Sequence, residues 1–466
     1  MADAATASET DVPDEAEEPE ETGYHWRNWS REQKCRPAIM ARPHTREGMI
    51  EAIVDATEAG RKIKVAGSGH SFTPAALTDG TMLRLEGMHR LLEVDRAGNR
   101  VKAEAGISLH DLNRRLDRHG MALENLGDID KQTLAGAIST ATHGTGARWR
   151  NLSSQVEAME IVTADGVLHE ITGGDELLAA RVGLGALGAI YSVTMRTVPS
   201  FRIDRVDRSR PLEEVISGMD QLAAELDHFE FYVFPYTDTA LCRESTRTDA
   251  APDPPSAAST YAQEVMLENW VAGAFANITR FVPASVPTLS KLAAAGTGVN
   301  RKLDHSFRVF ASERRVKFTE MEYCVPRANA REAVEGVLEI ANRRELGVAF
   351  PIEVRFVAAD DAILSPSFER DSAYVAVHYN HRGGHEPYFD AVESLMKGFG
   401  GRPHWGKRHT RDAADLRGLY PRFSDFLEVR NRLDPGGAFA NEYTERVLGP
   451  VVEPVKGKKR RRKKSK

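Results

Sequence analysis

The 466-residue chain is poor in cysteine: Cys35, Cys242 and Cys324 are all it has. They lie far apart and none belongs to a CxxC pair, which argues against a disulfide framework and a thiolate zinc site; no metal is expected. Long apolar runs are lacking too. The most apolar window, roughly 262–295, is broken by Glu268, Asn269, Arg280 and two prolines, so no transmembrane segment is expected. The N-terminus has no apolar h-region, so a secretory signal is not expected either and cytoplasmic residence is. Residues 1–22 lack any base and carry nine acids, whereas residues 456–466 lack any acid and carry nine bases. The two cancel, so the net charge of −6 belongs to the middle of the chain. Both ends, 1–22 and 450–466, read as disordered tails of like charge. The basic one allows peripheral attachment to an anionic surface. An acidic body argues against a sequence-specific nucleic-acid partner.

With 41% hydrophobic and 28% charged residues the chain is globular, and its length implies more than one core. Thr45 is placed to cap a helix whose apolar face is Met49, Ile50, Ile53 and Val54. Ser108 and Asp111 form a capping pair ahead of Leu109, Leu112 and Leu116. Residues 156–172 read as a hairpin turning at Ala164-Asp165-Gly166, and Ala189–Val198 as a strand. Farther on, 320–360 and 371–382 read as strands, with helices flanking them at 328–346 and 385–399. The stretch 248–259, TDAAPDPPSAAS, is a flexible loop by composition.

Three loops of small residues stand out: GSGHSF at 67–72, AGAISTATHGTG at 135–146 and GLGALG at 183–188. Small side chains let backbone N–H groups reach an anion, and three such loops in one unit point to a phosphorylated cofactor. The third loop spells GxGxxG. A dinucleotide fingerprint needs a strand before it and a helix after it; here a helical pattern precedes and a strand pattern follows, so the nicotinamide Rossmann reading is rejected.

VAGSGHSF, QTLAGAISTATHGTG and VGLGALGAIYSVTMR resemble the flavin-binding domain of the vanillyl-alcohol-oxidase superfamily. PIEVRFVAADD, AVHYN, RPHWGK and LDPGGAFANEYTERVLG resemble its aldonolactone oxidase and alditol oxidase branch, over roughly 23–449. The resemblance implies an α+β, two-domain flavoprotein: an FAD-binding domain over 23–200, a substrate or cap domain built on an antiparallel sheet with helices over 201–405, and a segment 406–449 returning to the flavin and substrate site. It implies FAD bound covalently through His70. Gly67, Ser68, Gly69 and Ser71 would cradle the pyrophosphate. Gly136, Ser139, Thr142, His143 and Gly144 would lie along the flavin, and Gly185, Gly188 and Ile190 near the adenine.

The same resemblance implies oxidation of an aldono-1,4-lactone, L-gulono-1,4-lactone or D-arabinono-1,4-lactone, to an ascorbate-type product, or alternatively of an open-chain polyol such as xylitol. Hydride must leave a C–H for flavin N5 while the adjacent hydroxyl becomes a carbonyl. Arg355 and Lys407 are expected to stabilise the developing alkoxide, Glu353 to orient substrate or Arg355, and His378 to take the proton. Asn380 and His404 are expected on the substrate; Asn380, where an alditol site would carry a hydroxyl residue, favours the lactone. The electrons would go on to oxygen, a quinone or a cytochrome. Ala141, in a motif where many oxidase members carry glycine, is expected to hinder oxygen and favour the other acceptors.

Overall fold

The computed structural model describes residues 23–254, 286–295, 299–312 and 316–451. The acidic tail, nearly all of the basic tail, residues 255–259 of the loop expected at 248–259 and most of the apolar window lie outside the described residues. No described helix is long and apolar enough to cross a membrane.

Near the N-terminus, a three-stranded parallel sheet joins Ile39–Ala41, Thr81–Arg84 and Ile63–Ala66, with Thr81–Arg84 in the middle. The helix Arg46–Glu58 crosses over it; Thr45 Oγ1 accepts from the Gly48 N–H at 3.1 Å, and Met49, Ile53 and Ala56 are its buried face. A five-stranded antiparallel sheet follows, in the order Leu168–Ile171, Val156–Val162, Ala189–Arg196, Arg100–Glu104, Leu91–Asp95. Helix Leu109–Arg118 is capped by Ser108 and buries Leu109, Leu112 and Leu116. The second small-residue loop is not all loop: it opens as the short helix Leu134–Ser139, because Thr133 accepts from the Gly136 N–H and its Leu-Ala-Gly-Ala-Ile run buries Leu134, Ala137 and Ile138. The GLGALG loop sits between helix Gly174–Ala180 and strand Ala189–Arg196, with Leu184, Gly185 and Gly188 all at positive φ. That order is the reverse of a Rossmann fingerprint.

The second half of the chain is organised by an eight-stranded antiparallel sheet. Its order is Asn300–His305, Arg202–Pro211, Thr239–Thr248, His228–Val233, Ile352–Val357, Ser372–Asn380, Phe318–Pro326, Arg402–Pro403. Alternation along each strand gives the sheet two unlike faces. One face presents Phe229, Phe231, Met321, Tyr323, Val354, Phe356, Val375 and Val377 to an apolar core shared with helices Leu212–Glu225, Ala330–Ala341 and Glu386–Gly398. The other presents Arg205, Asp207, Arg243, Glu230, Arg355, Glu353, Glu320, Glu322 and His378. Most of these are buried, because that face is pressed against the first sheet system. Strands expected only from about 320 onward thus have four partners, over 202–248 and 300–305, that local pattern did not single out.

Residues 405–448 cross back. Trp405 and helices Ala413–Leu419, Phe423–Leu433 and Glu442–Leu448 pack into the first core. Trp405 is fully buried; its Nε1 donates to Leu364 O at 2.6 Å, and its carbonyl accepts from Thr73 Oγ1 at 3.0 Å and from the Tyr443 hydroxyl at 2.9 Å. Trp405→Ala is expected to cost about 3–5 kcal/mol, as large core truncations do. Chemical denaturation of the flavin-loaded protein checks this; a variant as stable as the parent would contradict the packing.

Candidate active site

The first and third loops, with the helix of the second, enclose a cleft of about 1020 Å³. Gly67, Ser68, Gly69, His70, Ser71, Gly136, Ser139, Gly185, Gly188 and Ile190 all line it. Side-chain size explains two of the glycines. Gly69 has φ +74, and a Cβ there would meet Asn28 and Trp26 at 3.2 Å; Gly188 has φ +137, and a Cβ would meet Val162 O at 2.8 Å. The cleft floor includes Lys64, which pattern reading missed. It is 1% exposed and its Nζ donates to Gly185 O at 3.2 Å and Phe439 O at 3.1 Å. Burial outweighs the pull of Asp434 and lowers its pKa to about 8. A long cleft of glycine loops and backbone N–H groups fits a dinucleotide of the FAD type.

His70 is at the inner end of this cleft and also lines a second chamber of about 590 Å³. Its ring stacks on Trp29 at 5.6 Å between centroids. The arm carrying Trp29 is tied to the loop: Trp29 N–H donates to Gly69 O at 2.8 Å, and Asn28 Nδ2 to Ser71 O at 3.0 Å. Burial first, then the Lys407 charge, lowers the His70 pKa to about 4. The imidazole is therefore neutral at neutral pH, the form that can act as a nucleophile.

The second chamber's far wall is the ionic sheet face. Glu320, Glu322 and Arg355 line it from the sheet, His404 and Lys407 from the RPHWGK segment, and Thr142 and His143 from the second loop. Backbone pairing sets Lys407 in place: His404 N–H donates to Glu322 O at 3.0 Å, Arg408 N–H to Glu320 O at 2.9 Å, and Phe72 N–H to Gly406 O at 2.7 Å. Lys407 Nζ pairs with Glu320. Burial favours the neutral amine, but Glu320 and Glu322 overcome it and raise the Lys407 pKa. Burial likewise favours a protonated Glu320, but Lys407 and His378 win and lower its pKa to about 2. Glu322 is held below the ordinary carboxylate range in the same way, against burial, by His143 and Lys407.

Arg355 Nε donates to Glu230 Oε2 at 2.9 Å, while Nη2 pairs with Glu353 and stands 3.3 Å from Asp128. Nη2 thus stands between two carboxylates at the chamber wall. The Tyr232 hydroxyl bridges Glu230 at 3.0 Å and Glu353 at 3.1 Å. His143 Nδ1 lies 2.9 Å from Gly144 O and Nε2 lies 3.1 Å from Glu322 Oε1. Both neighbours are acceptors, so the His143–Glu322 pair holds a proton between them. His143, Glu322 and His404 bring donor atoms within 4.8 Å of one another, and these hydrogen bonds account for the grouping.

Four of the expected site residues, and Ala141, sit elsewhere. Glu353 and His378 are behind the wall: Glu353 acts on the chamber through Arg355, and His378 Nε2 is 3.5 Å from Glu320 Oε1 and 4.0 Å from Glu353 Oε2. Asn380 shares the His378 face by alternation, but at the strand end its Oδ1 accepts from the Arg382 N–H at 3.0 Å and it is not on the chamber wall. It therefore gives no contact that separates lactone from polyol. Gly144 lines neither chamber but a third cavity beside Arg355, and a Cβ there would meet Asn125 Oδ1 at 2.7 Å. Ala141 is fully buried in the apolar core at φ +58 and is not among the residues lining either chamber.

Glu320 and Glu322 escaped the sequence reading. The signal was two acids alternating in TEMEYCV, an otherwise apolar strand. In Lys407→Met the acid stability should change in a defined direction. A carboxylate with a depressed folded pKa contributes stability above its unfolded value of about 4.3, and that stability is lost as the pH falls toward about 2. Removing Lys407 raises the Glu320 pKa, so the acid unfolding midpoint should move to higher pH. An unchanged midpoint would deny the pairing.

A D-arabinono-1,4-lactone oxidase model matches residues 193–447 and an FAD-binding-domain model matches residues 37–172. L-gulono-1,4-lactone dehydrogenase of Mycobacterium tuberculosis is 44% identical over 91% of this chain and 99% of that protein. L-gulonolactone oxidase of Bos taurus is 34% identical over 91% of this chain and 98% of its own length. Alditol oxidase of a Streptomyces species is 30% identical over 82% of this chain and 89% of that protein. Cholesterol oxidase from B. sterolicum superposes with a TM-score of 0.75 at 19% identity, over 91% of this chain and 96% of that one, a likeness of fold. With its cleft, its chamber and these similarities, the chain belongs to the sugar-lactone oxidoreductase branch of the vanillyl-alcohol-oxidase superfamily, the family of FAD-dependent D-arabinono-1,4-lactone oxidases.

Proposed function

We propose that this chain oxidises an aldono-1,4-lactone, with L-gulono-1,4-lactone the first candidate, at a CH–OH carbon, and that its FAD is bound covalently through His70. The observation that carries the reading is the chamber where His70 faces the Lys407–Glu320 pair and Arg355. The flavin supplies the hydride acceptor and hands the electrons on. The protein's part is positional and electrostatic. Lys407 and the Arg355 guanidinium bring positive charge to where the substrate oxygen gains charge. The hydroxyl proton leaves toward Glu320, and His378 behind it takes the proton on. Glu353, Tyr232 and Glu230 hold Arg355 in place.

For attachment, the neutral His70 imidazole would be the nucleophile that holds the cofactor at its 8α-methyl position, and the FAD would supply the two-electron redox chemistry that such a bond needs. The names of the relatives, dehydrogenase at 44% identity and oxidase at 34%, leave oxygen, a quinone and a cytochrome as acceptors to be compared. Cytoplasmic residence, with the basic tail touching an anionic surface, is part of the same proposal.

Two measurements test it. Acid precipitation should leave yellow colour in the pellet, and His70→Ala should release it into the supernatant; colour released from both sinks the covalent bond. Anaerobic mixing with L-gulono-1,4-lactone should bleach the flavin, with Lys407→Met bleaching about 10²–10³-fold more slowly. Bleaching by xylitol alone would replace the lactone with a polyol.

A further inference from the structure

A third cavity of about 390 Å³ lies on the other side of Arg355 and Asp128, both of which also line the substrate chamber. Its walls come from four strands: Arg205, His228 and Glu230, Arg243 and Ser245, and Arg355. The register sets Arg205 opposite Ser245, Ser245 opposite His228, and Arg243 opposite Glu230, which in turn faces Arg355. About 30 Å³ of it is open to the centre of a water-sized guest, room for a small hydroxyl-bearing group and not for a large ligand.

Charge decides what this cavity can hold. Arg205 pairs with Asp207 at 3.1 Å, Arg243 with Glu230 at 3.2 Å, and Arg355 with Glu230, Asp128 and Glu353. Three cations are matched by at least as many carboxylates, so neither a phosphate nor a free carboxylate is favoured there. Unused hydrogen-bonding capacity points to a neutral, hydroxyl-bearing guest. His228 is 2% exposed, and its Nδ1 lies 2.9 Å from Thr145 O. That carbonyl only accepts, so the ring hydrogen is on Nδ1. Nε2 is then a bare acceptor, buried and without a partner. Burial lowers the His228 pKa to about 4, which keeps the ring neutral. Arg205 is already engaged, Nε with Asp207 at 3.1 Å and Nη1 donating to Val309 O at 3.0 Å, so the unmet capacity is the imidazole acceptor. A buried acceptor without a partner is costly unless a guest satisfies it. Stacking holds the imidazole in orientation, against Trp149 at 5.7 Å and edge-on to Phe310 at 4.9 Å.

We propose that this cavity is a subsite for the exocyclic, hydroxyl-bearing tail of the sugar lactone, with His228 Nε2 accepting a hydrogen bond from a tail hydroxyl. The assignment rests on the lactone reading above. His228 then selects for lactones longer than the ring, while the reacting carbon stays with His70, Lys407 and Arg355 in the neighbouring chamber.

The test uses the flavin-loaded full chain and two substrates. One is L-gulono-1,4-lactone, with two exocyclic carbons that each carry a hydroxyl. The other is a tetrono-1,4-lactone of matching ring configuration, which keeps the ring hydroxyls and has no exocyclic carbon; it is followed as a substrate or, where turnover is slow, as a competitive inhibitor. His228→Phe keeps the ring stack and removes the acceptor; His228→Gln keeps an acceptor. For His228→Phe, kcat/KM for the gulonolactone should fall about tenfold, mainly through KM, with the tetronolactone constants unchanged. His228→Gln should recover part of the loss. Equal losses on both compounds, or no loss on either, would overturn the subsite and leave the cavity to water. A wild-type enzyme that neither turns over nor binds either lactone would overturn the lactone reading itself, and the subsite with it.

Discussion

A buried sheet face made of charges is stable only if nearly every charge meets its opposite, and this molecule is built round that constraint. The eight-stranded sheet turns arginines, glutamates and histidines toward the FAD-binding domain instead of toward water. Neighbours across and along the strands then neutralise one another: Arg243 with Glu230, Glu230 with Arg355, Arg355 with Glu353, Glu320 with His378. Lys407 completes the set from outside the sheet. Each partner removed would leave a desolvated charge, so the pairs are mutually dependent. The same arrangement prepares the chemistry. Cations already held in a dry chamber need little reorganisation when a substrate oxygen acquires charge.

The two halves meet through backbone as much as through side chains. Gly146 N–H donates to Phe356 O at 2.7 Å and Ala358 N–H to Trp149 O at 2.9 Å, stitching the second loop to the central strand that carries Glu353 and Arg355. Thr145 Oγ1 donates to Phe229 O on the next strand. A Cβ on Gly146 would meet Trp149 Nε1 at 3.2 Å, so the approach needs a residue without a side chain, and its φ of +127 favours glycine as well. In this way the loop that bears Thr142 and His143 on the chamber is fixed relative to Arg355. The N-terminal arm closes the other side, with Trp29 against His70 and edge-on to Phe72 and Phe318.

Much of this was legible in the residue order, because it is local. Cap residues at Thr45 and Ser108, the turn at 164–166 and the helix-then-strand context of GLGALG depend on neighbours a few positions away. The ten residues placed on the cleft from three loops also came from short motifs, and the structure gathers them in one cleft. Period-two spacing put Glu353 and Arg355 on one face. It could not say that Glu353 stands behind the wall and Arg355 on it, since both share the face and only the packing above them differs. Asn380 failed for a related reason: alternation gave its side, but the strand ends there and its side chain folds onto the turn.

The sequence by itself determined the cofactor class, the family and the loops that form the cleft, because each is written in contiguous residues with restricted backbone choices. Only the tertiary structure decided which acids matter. Glu320 and Glu322 acquire meaning by lying opposite His378 and beneath His404 and Lys407, residues some sixty to ninety positions away. The cavity at His228 is assembled from strands beginning at 202, 228, 239 and 352, with register as the sole link between them. Register is set by the pairing of whole strands and by the core on the opposite face, so a short window of sequence does not contain it.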